Sequence, residues 1–177
     1  SSIGKSIVAE NSIRGVLDRV MEQVGAFFGP LNWSVLLVDA KHDELVFTVI
    51  TGKGSEVLRG QRVPLDEGIA GWVARHGKPA IVDTPKADPR FSERFDAISG
   101  FRTESLIAVP LLAGGRVFGV IELLNRLDGS RFSAFDMRVL STIADFAAIA
   151  IEKSYYLAEA RRLSEIDPLT GLLNRRG

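Results

Sequence analysis

Gly68-Ile69-Ala70-Gly71 is the short stretch best suited to chemistry. Small residues opening a helix leave free backbone N–H groups and the positive end of the helix dipole, and they let a ligand oxygen come close. That makes a ready anion site. The same residues also read as a plain glycine-rich helix entry, and the motif alone does not separate the two. Other chemistries have less support. Cysteine is absent and histidine occurs only as His42 and His76. A haem or zinc site would then need an unusual ligand set, so no metal is expected. GKGSEVLRG (52–60) lacks the Gly-Lys-Ser/Thr ending of a phosphate-cradling loop. No serine has a histidine close by in sequence, which lowers the odds of a nucleophilic triad, though triads assemble in space. The polar stretch 84–103 carries Asp96, Ser99 and Thr103 together with Phe91, Phe95 and Phe101. A loop this long is usually functional or disordered, and three aromatic side chains that need burial argue against disorder.

The elements that must position these residues follow from hydrophobic spacing. Residues 11–29 read as a helix, with apolar side chains from Ile13 to Phe28 at three- and four-residue steps and Gly29-Pro30 ending it. Extended runs are expected at 33–40, 44–51, 57–65, 79–83, 105–112 and 116–125. Pro64 suits an edge strand, and Ala113-Gly114-Gly115 suits a hairpin turn. GIAGWVARHG (68–77) reads as a short helix. From Ser133 to about Glu165 no Gly or Pro occurs, so that run is one long helix. Trp33 and Trp72 are expected in or beside the core rather than as stacking platforms. The fold class is therefore α+β: a central antiparallel sheet of about six strands, the N- and C-terminal helices on one face, and a ligand pocket under short helices and loops on the other.

Composition sets limits on partners. The chain has 177 residues, 46% hydrophobic and 25% charged, which is the globular range. Lys+Arg and Asp+Glu both number 22, so no basic field exists to draw in nucleic acid or anionic lipid. LIAVPLL (106–112), among the longest apolar runs, falls far short of the ~20 residues of a membrane span. A cytoplasmic setting is expected, with no nucleic-acid or membrane contact. The start, SSIGKS, shows neither an initiator Met nor a secretory pattern.

GIAGWVARHGKPAIVDTPKADPRF (68–91), GFRTESLIAVPL (100–111) and GRVFGVIELLN (115–125), in this order, resemble a GAF domain, a small-molecule sensing module. With its flanks the resemblance covers about residues 11–155. DPLTGLLNRR (167–176) resembles the start of a GGDEF domain, the diguanylate cyclase catalytic module, although the GG(D/E)EF signature is absent from these residues. The division this implies is an extension at 1–10, a GAF sensor at 11–155, a signalling helix at 156–166 and the beginning of a GGDEF domain at 167–177. The fragment itself is expected to be no enzyme. Its parent is expected to be a diguanylate cyclase converting GTP to cyclic di-GMP.

The resemblance also implies site residues. In the cyclic-nucleotide-binding GAF domains of mammalian-type phosphodiesterases, the backbone at positions matching Ile69 and Ala70 holds the cyclic phosphate. Asp96, Ser99 and Thr103 match polar pocket positions, although Asp96 reads equally as a helix cap. Ser34 matches a hydroxyl on the first strand and Glu122 an acidic residue on the last. Phe91, Phe95 and Phe101 are expected to pack the lid. Two positions depart from the pattern. Thr51 stands where guanine-specific members carry an Asp, and Ser92 stands where an aromatic side chain can cover the base. A hydroxyl does not replace a carboxylate that accepts two hydrogen bonds, so tight cGMP recognition is not implied. cAMP, another purine or an unrelated small molecule stays open. Asn125-Arg126, Phe132 and Asp136-Met137 partly match a further phosphodiesterase signature, and an Arg126–Asp136 clasp is expected outside the pocket.

On the long helix, Val139, Ile143, Phe146 and Ala150 are expected to face the sheet. Leu140, Ala147, Ser154, Leu157 and Arg161 form a second stripe. A homodimer through the Ile13–Phe28 and Ser133–Glu165 helices is expected, with a break at Asp167-Pro168. Two kinds of function stay open: a small-molecule sensor, and a ligand-free dimerisation and coupling module. A cavity of roughly 300 Å³ with Asp96 and Thr103 pointing into it separates them.

Overall fold

The computed structural model describes residues 2–165, with side chains described from residue 12 onward. The Asp167-Pro168 break and the stretch 167–176 lie outside the described residues, as do the side chains of 1–10.

Six strands form one antiparallel sheet: β1 (Pro30–Asp39), β2 (Glu44–Thr51), β3 (Arg62–Pro64), β4 (Ala80–Val82), β5 (Leu106–Ala113) and β6 (Arg116–Arg126). Their order is β3-β2-β1-β6-β5-β4. Side chains alternate between two buried faces. Val35, Ile107, Val109, Ile121 and Leu123 point to a core shared with the long helices α1 (Ser2–Phe28) and α5 (Ala134–Glu165). Leu36, Leu106, Ala108 and Val120 point the other way, toward α3 (Gly68–His76). The expected α+β architecture is the one observed.

Several boundaries differ from the sequence reading. The first helix begins at Ser2 rather than near residue 11, since SIVAEN contains no breaker. The expected third strand, 57–65, is split into α2 (Ser55–Leu58) and the short β3. Gly54 and Gly60, at φ 79 and 82, turn the backbone on either side of that helix. Pro64 ends β3 at the sheet edge, where a missing N–H costs nothing. The long 84–103 segment is structured by a 3-10 turn at Pro85–Ala87 and by α4 (Arg94–Ser99).

α5 meets the expectation in part: Val139 and Ile143 pack against the core, but the buried stripe is centred elsewhere. Leu140, Ala144, Ala147, Ala148 and Ile151 are buried, whereas Phe146 is 71% exposed. The reason is α1, which lies against α5 on the same face. Close helix packing favours small side chains, so the alanines mark the buried stripe and the large Phe146 turns outward. Leu140 and Ala147, expected on a second stripe, therefore belong to the core. α1 spends its apolar stripe, Ile13 to Phe28, on the same core, and its outer face carries Arg14, Asp18, Arg19, Glu22 and Gln23. Phe27, at the end of the same helix, is exposed.

The clasp forms with altered detail. Arg126 Nη1 donates to Asp136 Oδ2 at 2.7 Å, and Ser133 N donates to the same oxygen at 2.8 Å. Asp136 N in turn donates to Ser133 Oγ at 3.1 Å, completing a reciprocal cap on α5. Both bonds to Asp136 fall on the same carboxylate oxygen, so the ion pair is single. Arg126 Nε is left buried without a partner. Next to it, Asn125 at φ 54 staples the chain before β5, accepting from Glu104 N and Ser105 N and donating to Arg102 O.

Candidate functional site

The open face of the sheet, α3 and the α2/α4 lid enclose a cleft. Its floor follows from register. Ile50, Ser34, Glu122, Ala108 and Ala80 are successive cross-strand partners from β2 to β4. Directly opposed residues share a face, so this row lies on the cleft side. The small side chains of Ser34 and Ala108 flank Glu122 and leave space above the strand. Phe47, Leu58, Val63, Leu106 and Leu124 supply apolar wall.

Two polar groups on this floor are idle. Neither the Ser34 hydroxyl nor the Glu122 carboxyl has a hydrogen-bond partner among the described residues. They face each other across β1 and β6. Burial pushes the Glu122 carboxyl up to about 7, and the nearby Asp96 charge adds to the rise. At neutral pH this group therefore exists partly as a neutral acid, able to donate as well as accept a hydrogen bond.

The lid is tied down by its own polar residues. Asp96, in the first turn of α4, accepts from Thr103 N and Thr103 Oγ1, both at 2.7 Å. Asp96 thus latches α4 to the base of β5, so the helix-cap alternative gives way to a loop latch that also lines the cleft. Ser99 Oγ donates to Phe95 O and accepts from Phe101 N. Ser92 Oγ donates to Glu67 Oε1 at 3.1 Å, and Arg94 lies 3.4 Å from the same carboxylate. Phe95 packs edge-on against Phe47, with ring centroids 5.2 Å apart. Phe91 and Phe101 also line the cleft, as expected of lid residues.

At the α3 end, Gly68, Ile69 and Ala70 reach the cleft, so the helix opening does face it. Its glycines have structural duties too. Gly68 enters the helix at φ 73. A Cβ on Gly71 would stand 3.0 Å from Pro64 O, so Gly71 is where α3 packs on the β3 backbone. Glu67, immediately before the helix, makes no side-chain cap and faces the cleft instead.

Of the residues singled out from sequence, the structure gathers Ser34, Ile69, Ala70, Phe91, Ser92, Phe95, Asp96, Ser99, Phe101, Thr103 and Glu122 around this one space. Thr51 is not among them. It pairs with Trp33 at the exposed end of β2, while its neighbour Ile50 faces the cleft. Trp33 Nε1 donates to Met21 O, and Trp72 stacks on His76 under Arg90, so neither indole is a free platform. Sequence reasoning missed Glu67 and Asn32. Asn32 exchanges hydrogen bonds with the Lys53 backbone at the cleft rim, and neither residue carried a sequence motif.

The lining holds carboxylates at Glu67, Asp96 and Glu122 and no Lys, Arg or His. With no cation in the lining, an anionic group would be met by backbone N–H groups and neutral donors such as the Ser34 hydroxyl, and a ligand's donors by the acids. The unfilled space is about 60 Å³. That holds a few waters and falls well below the roughly 300–1,000 Å³ of ligand clefts. Among the described residues, no cluster of three or more His, Cys, Asp or Glu side chains could hold a metal. No described helix is long and apolar enough to cross a membrane.

Comparison with known proteins follows the same outline. Residues 12–151 match the family model of the GAF domain. Over 103 residues, 56% of the chain, it is 37% identical to the cone cGMP-specific 3',5'-cyclic phosphodiesterase subunit alpha' of Mus musculus. Over 164 residues, 85% of the chain, it is 27% identical to the dual 3',5'-cyclic-AMP and -GMP phosphodiesterase 11 of Drosophila melanogaster. The matched regions make up 12% and 11% of those much longer proteins. Among solved structures, a GAF domain/HD domain protein from Geobacter sulfurreducens superposes with TM-score 0.71 at 15% identity, covering 88% of this chain and 99% of that one.

Proposed function

This chain belongs to the GAF domain family, and on that premise we propose that its cleft senses a small molecule, with a cyclic nucleotide such as cAMP as the leading candidate. The observation that carries the reading is the idle pair on the floor, Ser34 and Glu122, facing the opening of α3. Ser34 is buried and Glu122 partly so, both open onto the cleft rather than onto a protein partner, and a ligand there would satisfy them. The α3 backbone would take the anionic group, and Glu122 with Ser34 would take donors and acceptors of a ribose or base. Similarity to cyclic phosphodiesterases supports the ligand class. Thr51 stands outside the cleft, so a carboxylate-based reading of guanine at that position has no counterpart.

A space of about 60 Å³ does not admit a nucleotide as it stands. Binding therefore requires α4 to lift, which breaks or re-forms the Asp96–Thr103 latch. The strands that would touch ligand also carry the signal. Val35 and Ile121 adjoin Ser34 and Glu122 in sequence but face the helical core. A shift of β1 or β6 would thus reach α1 and α5 directly. We take the output to be a GGDEF cyclase that follows residue 167, in a cytoplasmic signalling protein, on the strength of DPLTGLLNRR.

The small volume also favours a second reading, a coupling module that binds nothing. Thermal unfolding with cAMP, cGMP and GTP, each at about 0.5 mM, separates the two. A ligand at a hundred times its Kd adds about 2.7 kcal/mol to the native state, which raises Tm by several degrees. A rise with cAMP supports the nucleotide reading. No rise with any of the three supports the coupling module or a different ligand.

A further inference from the structure

We propose that α4 is a pH-gated lid, in which ionisation of Glu122 on the cleft floor pushes against the Asp96 carboxylate on the lid and opens the cleft. Both carboxyls line the same space, and no Lys, Arg or His lines it with them. The lid is lightly held. None of the residues of α4 (Arg94–Ser99) is fully buried. Elements with few buried contacts open locally, ahead of global unfolding. Asp96 ties α4 to the base of β5 through both of its oxygens, Oδ1 accepting from Thr103 Oγ1 and Oδ2 from Thr103 N, each at 2.7 Å. Two further polar ties, Arg94 Nη2 to Arg62 O and Arg94 Nε toward Glu67 Oε1, leave from the first residue of the helix. A second negative charge in the cleft with Asp96 therefore acts on the latch itself.

The surroundings of Glu122 fix the sign. β1 and β5 place Ser34 and Ala108 beside it, and neither titrates. The lid contributes Asp96. Glu67, before α3, is the third acid of the lining, and it already has Ser92 and Arg94 as partners. Arg94 itself is not among the lining residues. On the cleft side Glu122 thus meets acids and uncharged groups. With the lid closed, burial and the Asp96 charge push its carboxyl up to about 7, and lifting α4 admits water and returns it toward the ordinary 4.5. The closed lid therefore favours the neutral acid. This contribution to closure is whole below pH 4.5 and is lost as pH rises to 7. Full return to the ordinary value would raise the open fraction about thirtyfold between pH 5 and 7. The use of this opening to admit a ligand rests on the sensing reading above, whereas the opening itself belongs to the empty chain.

Amide exchange of the ligand-free chain between pH 5 and 8 tests this, read at the amides of 94–104 and divided by the intrinsic chemical rate at each pH. Core amides of β5 and β6 report global unfolding and confirm that each variant folds. Lid amides are expected to exchange faster than core ones, and their opening constant to rise at least about fivefold from pH 5 to 7 in the wild type. Glu122→Gln keeps the shape without the charge, and its opening constant should rise less than about twofold. Thr103→Val removes one latch bond and no charge, so it should open the lid more at every pH and keep the wild-type slope. A lid that exchanges no faster than the core would overturn the proposal, since α4 would then have no opening of its own. Equal pH slopes in the wild type and Glu122→Gln would overturn it too, as would a wild-type lid that opens equally at pH 5 and 7. No ligand is present, so failure of the lid to respond to pH and failure of cAMP to bind are separate outcomes.

Discussion

Replacing Glu122 by Gln probes the floor of the cleft before any ligand is known. The folded protein holds the Glu122 carboxyl at about 7 against an ordinary value of 4.5. The native state therefore binds this proton more tightly than the unfolded chain does. The stability difference is favourable to the native state below pH 4.5, erodes as pH rises from 4.5 to 7, and is flat above 7. At 1.36 kcal/mol per unit, the erosion amounts to about 3 kcal/mol, an upper value since the carboxyl keeps some contact with water. Glu122→Gln removes the charge and keeps the shape. It should match the wild type at pH 4.5 and exceed it progressively up to pH 7.5, by up to about 3 kcal/mol, or about 6–10 °C in Tm for a domain of this size. Urea unfolding of both proteins between pH 4.5 and 8 measures this. A stability difference that is constant with pH would refute the reasoning, since it would mean that Glu122 is solvated or paired rather than buried and idle.

Three further substitutions test the parts around that floor. Asp96→Ala releases the two hydrogen bonds to Thr103, which is buried, and should cost about 2–3 kcal/mol in urea unfolding while raising amide exchange across 94–104. Gly71→Ala puts a methyl 3.0 Å from Pro64 O and should cost about 1–2 kcal/mol, with no cost indicating that α3 slides freely on β3. Asp136→Ala removes the Arg126 pair and the α5 cap together and leaves a half-buried guanidinium unpaired. About 3 kcal/mol is expected, and a loss under 1 kcal/mol would show that the clasp is only ancestral.

The outline of the site was legible because its residues sit on elements with strong local signals. The polar loop with three phenylalanines read as structured, and it is a latched lid. GIAG read as a helix opening, and it faces the cleft. The misreadings share a cause in neighbours that a linear pattern does not reveal. Thr51 and Ile50 differ by one residue, and in a strand one residue is the difference between faces. The α5 stripe was offset because packing against α1 rewards alanine over phenylalanine at the contact, so hydrophobicity alone pointed outward. Residues 57–65 look extended by composition, but Gly54 and Gly60 fold the first part into α2. Glu67 and Asn32 gave no motif. Only the assembled cleft shows that they line it.

Calorimetric titration of cAMP into this chain, alongside Ser34→Val, tests the central claim most directly. Valine suits a strand and adds bulk to a space of about 60 Å³ while removing one of the idle groups. The account predicts saturable binding of one cAMP per chain to the wild type and at least tenfold weaker binding to Ser34→Val, with both proteins equally folded. Equal affinity in the two would place the ligand outside this cleft and contradict the account.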